Sequence, residues 1–528
     1  MSTTAIMSAI AIAVFFGVMF VIGIRCRRHA TNVNDYVLGG RAVGPWLTAF
    51  AFGTSYFSAV IFVGYAGQFG WNFGMASTWI GLGNAFIGSL LAWVVLGRRT
   101  RLMTQHIGSR TMPDFFDRRY DSKKLKIAAS VIVFIFLIPY TASLYNGLSS
   151  LFHIAFNVPY WICIAVIAVL TGLYVIFGGY MATAINDFIQ GIIMLVGIVA
   201  VIGAVLADRG GLLQAMNDLS QIPSEYSDTA GMQGAFTSFL GAQPFYLLVV
   251  VLLTSLGTWG LPQMVGKFYS IKNEDAVKKG TIISTLFAVV VAGGCYFLGG
   301  FGRLFLTPEQ LSVGGYDSII PTMMERLPSA IVAVVIVLVL SASMSTLSSL
   351  VLTSSSTLTL DVILPACRRE SSEKTKVSVM RIFVAFFVVV SAVLAILKDA
   401  FPQFTFIAQM MGVSWGALAG AFLAPFLYGL YWKRTTRPAV AVSFVFGVGV
   451  EVIQLLCMMK LISFPSDGFF GLIFRNSLYS GVFAMLGSMI LVPVVSLLTK
   501  KPDSARVDEM FSCYNTTVTV EAHESLGK

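Results

Sequence analysis

An all-helical protein embedded in a membrane is the fold class that the sequence predicts, and three observations carry that reading. Of the 528 residues, 56% are hydrophobic and only 11% charged, where soluble domains run at roughly a quarter charged. The mean hydropathy is +0.81. Windows of about 20 mainly apolar residues, the length a helix needs to cross a hydrocarbon core of about 30 Å, follow one another along nearly the whole chain. A soluble chain this long would split into several domains of about 100 to 200 residues joined by polar linkers, and no such division is visible. A disordered chain and a disulfide scaffold are excluded as well, since 42 Phe stand beside six Cys. No CxxC pair occurs, so neither metal nor redox chemistry is expected of the cysteines.

About thirteen windows qualify as spans. The first, residues 5–24, has no basic residue before it and Arg25, Arg27 and Arg28 directly after it. That order is the reverse of a secretory signal, so the segment is expected to stay as an anchor. The second, 46–67, carries Gly53-Thr54-Ser55-Tyr56-Phe57-Ser58 near its middle. Four hydroxyls and a glycine there predict an interrupted helix, whose freed carbonyls suit a small cation and whose half-helix ends suit charged groups of a solute. A packing face of small residues is the alternative. Plain spans follow at 77–97, 127–151 and 159–177. The sixth, 182–206, opens with Asn186-Asp187-Phe188-Ile189-Gln190. A carboxylate this close to the membrane interior points to a cation or proton partner, with helix capping as the competing role.

The seventh window, 244–266, repeats the interruption in Thr254-Ser255-Leu256-Gly257-Thr258-Trp259-Gly260-Leu261-Pro262, where proline and two glycines weaken the helix. Either break alone reads as a simple kink. Spans two to six and seven to eleven, taken as two five-helix repeats, put the breaks at matching places, and matched breaks point to a transporter's central site. After the eighth window, 281–302, the ninth, 329–355, holds Ser341-Ala342-Ser343-Met344-Ser345-Thr346-Leu347-Ser348-Ser349. Ser345 and Ser349 share a face at i and i+4 with Thr346 beside it. Neutral oxygens with few carboxylates suit a weakly held monovalent ion; hydroxyls bonding back to their own helix explain one or two of them. The remaining windows are 380–398, 404–431, 438–459 and 477–498. Glu451 in the twelfth has no assigned role, whether it pairs locally or faces a partner subunit.

Orientation follows from the basic residues. With the N-terminus outside, 29 of the 35 Lys and Arg fall on inner segments, which the positive-inside rule expects of the cytoplasmic face. The net charge of +10 is thus a topological signal beside anionic lipid, and nucleic-acid binding is not expected. The chain divides into an N-terminal anchor helix and basic loop (1–40), a core (41–436), two peripheral helices (437–500) and a cytoplasmic tail (501–528). The core contains the repeats at about 46–206 and 244–431.

Several motifs together resemble the sodium:solute symporter family, which includes the bacterial proline and pantothenate symporters and the sodium-glucose transporters. They are Asp35-Tyr36-Val37-Leu38-Gly39-Gly40-Arg41, Gly178-Gly179, Asn186-Asp187 with Gln190-Gly191, and Met344-Ser345-Thr346. The resemblance implies a leucine-transporter-like core of two inverted five-helix repeats working by alternating access, with sodium as the ion. It also implies a main sodium site at the carbonyls of Thr54, Phe57 and Ala342 and the hydroxyls of Ser345 and Thr346. A second site found in some members falls on Asp187, Ser345, Ser348 and Ser349. The sequence departs from the proline branch at Tyr56, where that branch has aspartate, and at Val60 and Thr254, where it has tryptophan, which weighs against proline. Ser55, Tyr56, Ser58, Tyr140, Thr254, Thr258 and Trp259 are the candidate solute contacts.

The resulting expectation is a sodium-coupled symporter of the plasma (inner) membrane that imports a small organic solute, an amino acid or a monocarboxylate such as pantothenate. It is not expected to be an enzyme. The alternatives are a solute sensor built on the same fold and a proton-coupled or passive carrier. Oligomeric state is not legible.

Overall fold

The computed structural model describes residues 3–26, 32–156, 158–367, 372–397 and 407–515. Arg27, Arg28, the start of the basic segment at 368–371 and the tail from 516 lie outside them. The described residues are helical apart from loops and one isolated parallel bridge, Val43 to Ile271. The principal helices are α1 (Thr3–Cys26), α2 (Pro45–Tyr56), α3 (Ala66–Phe73), α4 (Lys123–Phe156) and α5 (Tyr160–Asp208) in the first half. The second half holds α6 (Pro244–Leu256), α7 (Pro262–Tyr269), α8 (Glu274–Gly299), α9 (Ser329–Leu358), α10 (Glu373–Ile396) and α11 (Ile407–Tyr431), followed by α12 (Arg437–Met458) and α13 (Ser477–Leu498).

Among the described residues ten helices are long and apolar enough to cross a membrane, or eleven when the bent pair Pro244–Gly260 and Pro262–Tyr269 counts as one. This falls short of the expected thirteen because some expected spans run together. Helix α5 has 49 residues and leaves helical geometry at Gly179, φ 57°, ψ −156°. A straight helix would set Thr171 and Gly197 about 39 Å apart at 1.5 Å per residue. Instead Thr171 and Tyr174 reach Met344 of α9, while Gly197 abuts Leu338, only two turns away. The chain therefore doubles back at Gly179, where a Cβ would stand 2.9 Å from the Tyr36 ring, and α5 contains two of the expected spans. Residues 60–106 behave likewise about Gly74, φ 61°. Helix α8 lies along both limbs: Gly299 meets Ala66 and Gly70 on one, Gly81 meets Gly293 and Gly280 meets Trp93 on the other.

Those glycine crossings are close. A Cβ on Gly70 would lie 1.9 Å from the carbonyl oxygen of Gly299, and one on Gly299 would lie 2.0 Å from that of Ala66. Small residues permit such backbone approach, which is the usual way for helices to pack in lipid. Large apolar side chains point outward instead, among them Val94, Val196, Ile382 and Val445, as a hydrocarbon surround requires. Helix α11 packs on α12 and α13, and Glu451 is resolved there: it accepts a 2.9 Å hydrogen bond from Ser480, and its carboxylate lies against Gly416. It pairs locally.

Candidate functional site

The two expected breaks exist, and they create the site by orphaning carbonyls. Helix α2 ends at Tyr56, and Phe57 adopts an extended geometry, φ −103°, ψ 103°, with its amide bonded to the Gly53 carbonyl. The last carbonyls of a helix have no intrahelical donor, so those of Thr54 and Ser55 need partners from elsewhere. Helix α9 supplies them. Ser345 Oγ donates to the Thr54 carbonyl at 2.9 Å and Thr346 Oγ1 approaches it at 3.2 Å. Thr346 Oγ1 is also 3.4 Å from the Ser55 carbonyl and 3.1 Å from that of Ala342, and Ser345 Oγ is 3.1 Å from the latter. Four of the five residues expected around a sodium ion thus meet with oxygens converging across two helices. Phe57, the fifth, stands at the break itself, with its ring stacked on Tyr56, centres 4.4 Å apart.

The seventh span breaks through a 3₁₀ turn, Gly257–Gly260, and an extended Leu261, bending the axis by 47°. Here the Thr254 carbonyl, in the last turn of α6, accepts the hydroxyl of Tyr56, tying the second break to the first. Around this bond lie Tyr140 and Trp415 of α11, whose ring centre is 6.1 Å from both tyrosines, with Ser58 buried just past the break. Thr258 donates to the Ser255 carbonyl at 2.8 Å and Thr254 to the Val250 carbonyl at 2.8 Å, both along their own helix. Trp259 closes a side with its indole N–H on the Ile87 carbonyl at 3.1 Å. Trp415 was not anticipated, since one tryptophan in an apolar span carries no signal of its own.

Ser55 turns away from this aromatic group. Its hydroxyl meets that of Ser349 at 2.7 Å, and Ser349 accepts from the ammonium of Lys267 at 2.9 Å. Lys267 in turn lies 3.6 Å from the Asp187 carboxylate. Ser348 bonds back to the Ser345 carbonyl at 2.8 Å. Asp187, eight residues past the reversal at Gly179 and wholly buried, is too deep in its helix to cap it. Lys267 corrects a sequence reading. It stands directly after the seventh window, where the sequence reads as part of an inner basic segment, yet only 4% of it is exposed. Its neighbours Met264, Val265, Phe268 and Tyr269 were the available sign, because a lysine on an apolar half-helix is a buried lysine in search of a partner. The loop before α2 and the end of α7 are pinned together by the Val43 to Ile271 bridge, with Val43 N on the Ser270 carbonyl at 3.2 Å.

A sequence model of the sodium:solute symporter family matches residues 36–447. Sodium/proline symporters of Staphylococcus aureus, those of strains JH9 and NCTC 8325 among them, are 30% identical over 498 residues, 93% of each chain. The chain belongs to the sodium:solute symporter family. It is accordingly a multi-pass membrane transporter, not an enzyme, and it couples a solute to sodium. Among solved structures, a Na+-coupled sialic acid symporter, in a substrate-bound outward-open state described with a novel Na+ site, is similar over 94% of this chain and 98% of its own at 15% identity and a TM-score of 0.75. A nucleobase-cation-symport-1 family transporter in a closed conformation with bromovinylhydantoin bound gives 0.50 at 14% identity, covering 91% of this chain and 98% of its own. The fold is the leucine-transporter-like one expected for the family.

Proposed function

We propose that this family member imports a small amino acid or monocarboxylate, with sodium held at the carbonyls of Thr54, Phe57 and Ala342 and the hydroxyls of Ser345 and Thr346. The convergence of α2 carbonyls and α9 hydroxyls at the first break carries this reading. Each hydroxyl that now donates to a carbonyl can turn its hydrogen aside and offer a lone pair, so one cation replaces several mutual hydrogen bonds without moving a helix. Because the ligands come from both α2 and α9, sodium favours the state in which the two are together. Solute binds beside it, and differential affinity of this kind is what couples two ligands. A membrane potential, negative inside, adds about 2.3 kcal/mol per charge per 100 mV to inward movement.

Tyr56, Ser58, Tyr140, Thr258 and Trp259 form the wall against the solute, with Ser55 and Thr254 at its border. The hydroxyls and rings suit a compact solute with a polar head, and the half-helix ends at the two breaks suit its carboxylate. The relatives named for proline support an amino-acid class, while Tyr56 stands where the proline branch has a carboxylate. Asp187, Ser348 and Ser349 form a second cation position. The core comprises 41–436, flanked by the anchor (1–40), the peripheral pair (437–500) and the tail (501–528). The N-terminus lies outside the plasma membrane and the C-terminus in the cytoplasm.

The test is uptake into proteoliposomes of labelled neutral amino acids and monocarboxylates, driven by inward sodium or potassium gradients. At least one solute accumulates with sodium only, and Ser345→Ala raises the half-saturating sodium concentration about tenfold or more, in line with removing a hydrogen-bonding ligand from a buried site. Unchanged sodium activation in a folded Ser345→Ala protein would remove the ion from this place.

A further inference from the structure

The chain Asp187, Lys267, Ser349, Ser55 sits where the second cation position was expected, and it already contains a cation. Lys267 is 96% removed from the surface, 3.6 Å from a carboxylate that is wholly buried, and hydrogen-bonded at 2.9 Å to Ser349. Its ammonium lies over the Tyr180 ring, 5.4 Å from the ring centre. The hydroxyl of Tyr180 is fixed on Ser270 at 2.6 Å, and Ser270 donates back to the Lys267 carbonyl at 2.8 Å. The arrangement holds one negative and one positive charge. A sodium ion added to it would leave a net positive charge in a medium that screens poorly, and would have to take Ser349 and Asp187 from the ammonium. A narrow cavity of about 50 Å³, lined by Gln263, Lys267, Ser349 and Thr353, adjoins the pair.

We propose that the Lys267 ammonium is the resident cation of the second position, so that this symporter carries one sodium ion per solute. The inference rests on the sodium-coupled reading above and deepens it. Lys267 rides on α7, the half-helix that follows the second break, whereas Asp187 and Ser349 belong to α5 and α9. The tethered charge therefore supplies at this position what a free second ion would supply, a positive link between the broken span and its neighbours, without being released at the end of each cycle.

The experiment measures the sodium-to-solute coupling number from reversal potentials in proteoliposomes, together with the Hill coefficient for sodium, using the first solute found to accumulate. Wild type gives a coupling number and Hill coefficient of one. Lys267→Met leaves Asp187, Ser348 and Ser349 without their cation, and the Hill coefficient rises toward two. In the double variant Lys267→Met, Asp187→Asn, which has lost both charges, it returns to one. A wild-type coupling number of two overturns the proposal while leaving sodium symport standing, and so does a folded Lys267→Met protein whose Hill coefficient stays at one. Absence of any sodium-dependent uptake in wild type would instead overturn the functional reading itself. Should Lys267→Met not fold, the wild-type coupling number alone decides.

Discussion

Thr54 and Thr254 occupy matching places in the two broken spans, and their local bonding is the same. Each hydroxyl donates at 2.8 Å to the carbonyl four residues earlier, Phe50 in one case and Val250 in the other. Each carbonyl lies in the last turn of its helix, where intrahelical donors run out. The difference lies in what takes that carbonyl. At Thr54 it is a pair of aliphatic hydroxyls from α9, small and able to exchange roles with an ion. At Thr254 it is the phenol of Tyr56, a rigid ring from the other broken span. On the function proposed above, one break makes an ion cage and its counterpart a wall against the solute, from equivalent backbone.

Three substitutions sharpen or break that contrast. Thr346→Val keeps the shape but removes the hydroxyl that reaches the Thr54, Ser55 and Ala342 carbonyls. Losing it is expected to raise half-saturating sodium at least about tenfold, since a polar ligand's interaction with a charged group is worth about 1.5 to 3 kcal/mol; sodium titration of uptake measures this. Tyr56→Phe frees the Thr254 carbonyl and should act on the solute, raising its half-saturation roughly fivefold for a loss of about 1 kcal/mol, with sodium activation changed less than about twofold. A larger effect on sodium than on solute would erase the division between cage and wall. The smallest effect is expected of Thr254→Val, whose hydroxyl serves only its own helix. Solute competition assays should show less than about a twofold change, and a strong loss would place that hydroxyl on the solute.

The elements that sequence could announce are those whose chemistry is local. Apolar length marked the spans, glycine and proline marked both breaks, and the i, i+4 spacing of Ser345 and Ser349 placed oxygens on one face of α9. Asp187 stood out because an ionised group in lipid demands a reason. What was not legible depends on contacts between distant segments. Lys267 is 80 residues from Asp187 in the chain and near enough to a basic loop to pass for part of it. Trp415 is one ring among many until Tyr56 and Tyr140 are seen on either side. The reversals at Gly74 and Gly179 join spans without a polar loop between them, so the structure holds longer helices than hydropathy windows imply.

The crossing of Gly70 and Gly299 bears on how such a molecule can move. Where side chains interleave, two helices can slip by changing rotamers; where a carbonyl oxygen fills the space of an absent methyl group, there is nothing to rearrange. Helices α3 and α8 are in effect riveted. Rocking of the molecule would find its play elsewhere, at the hydroxyl contacts of α2 with α9 and at the charged tether from α7 to α5 and α9, where the joining bonds can be exchanged, whereas the glycine crossing is held by the absence of any side chain at all.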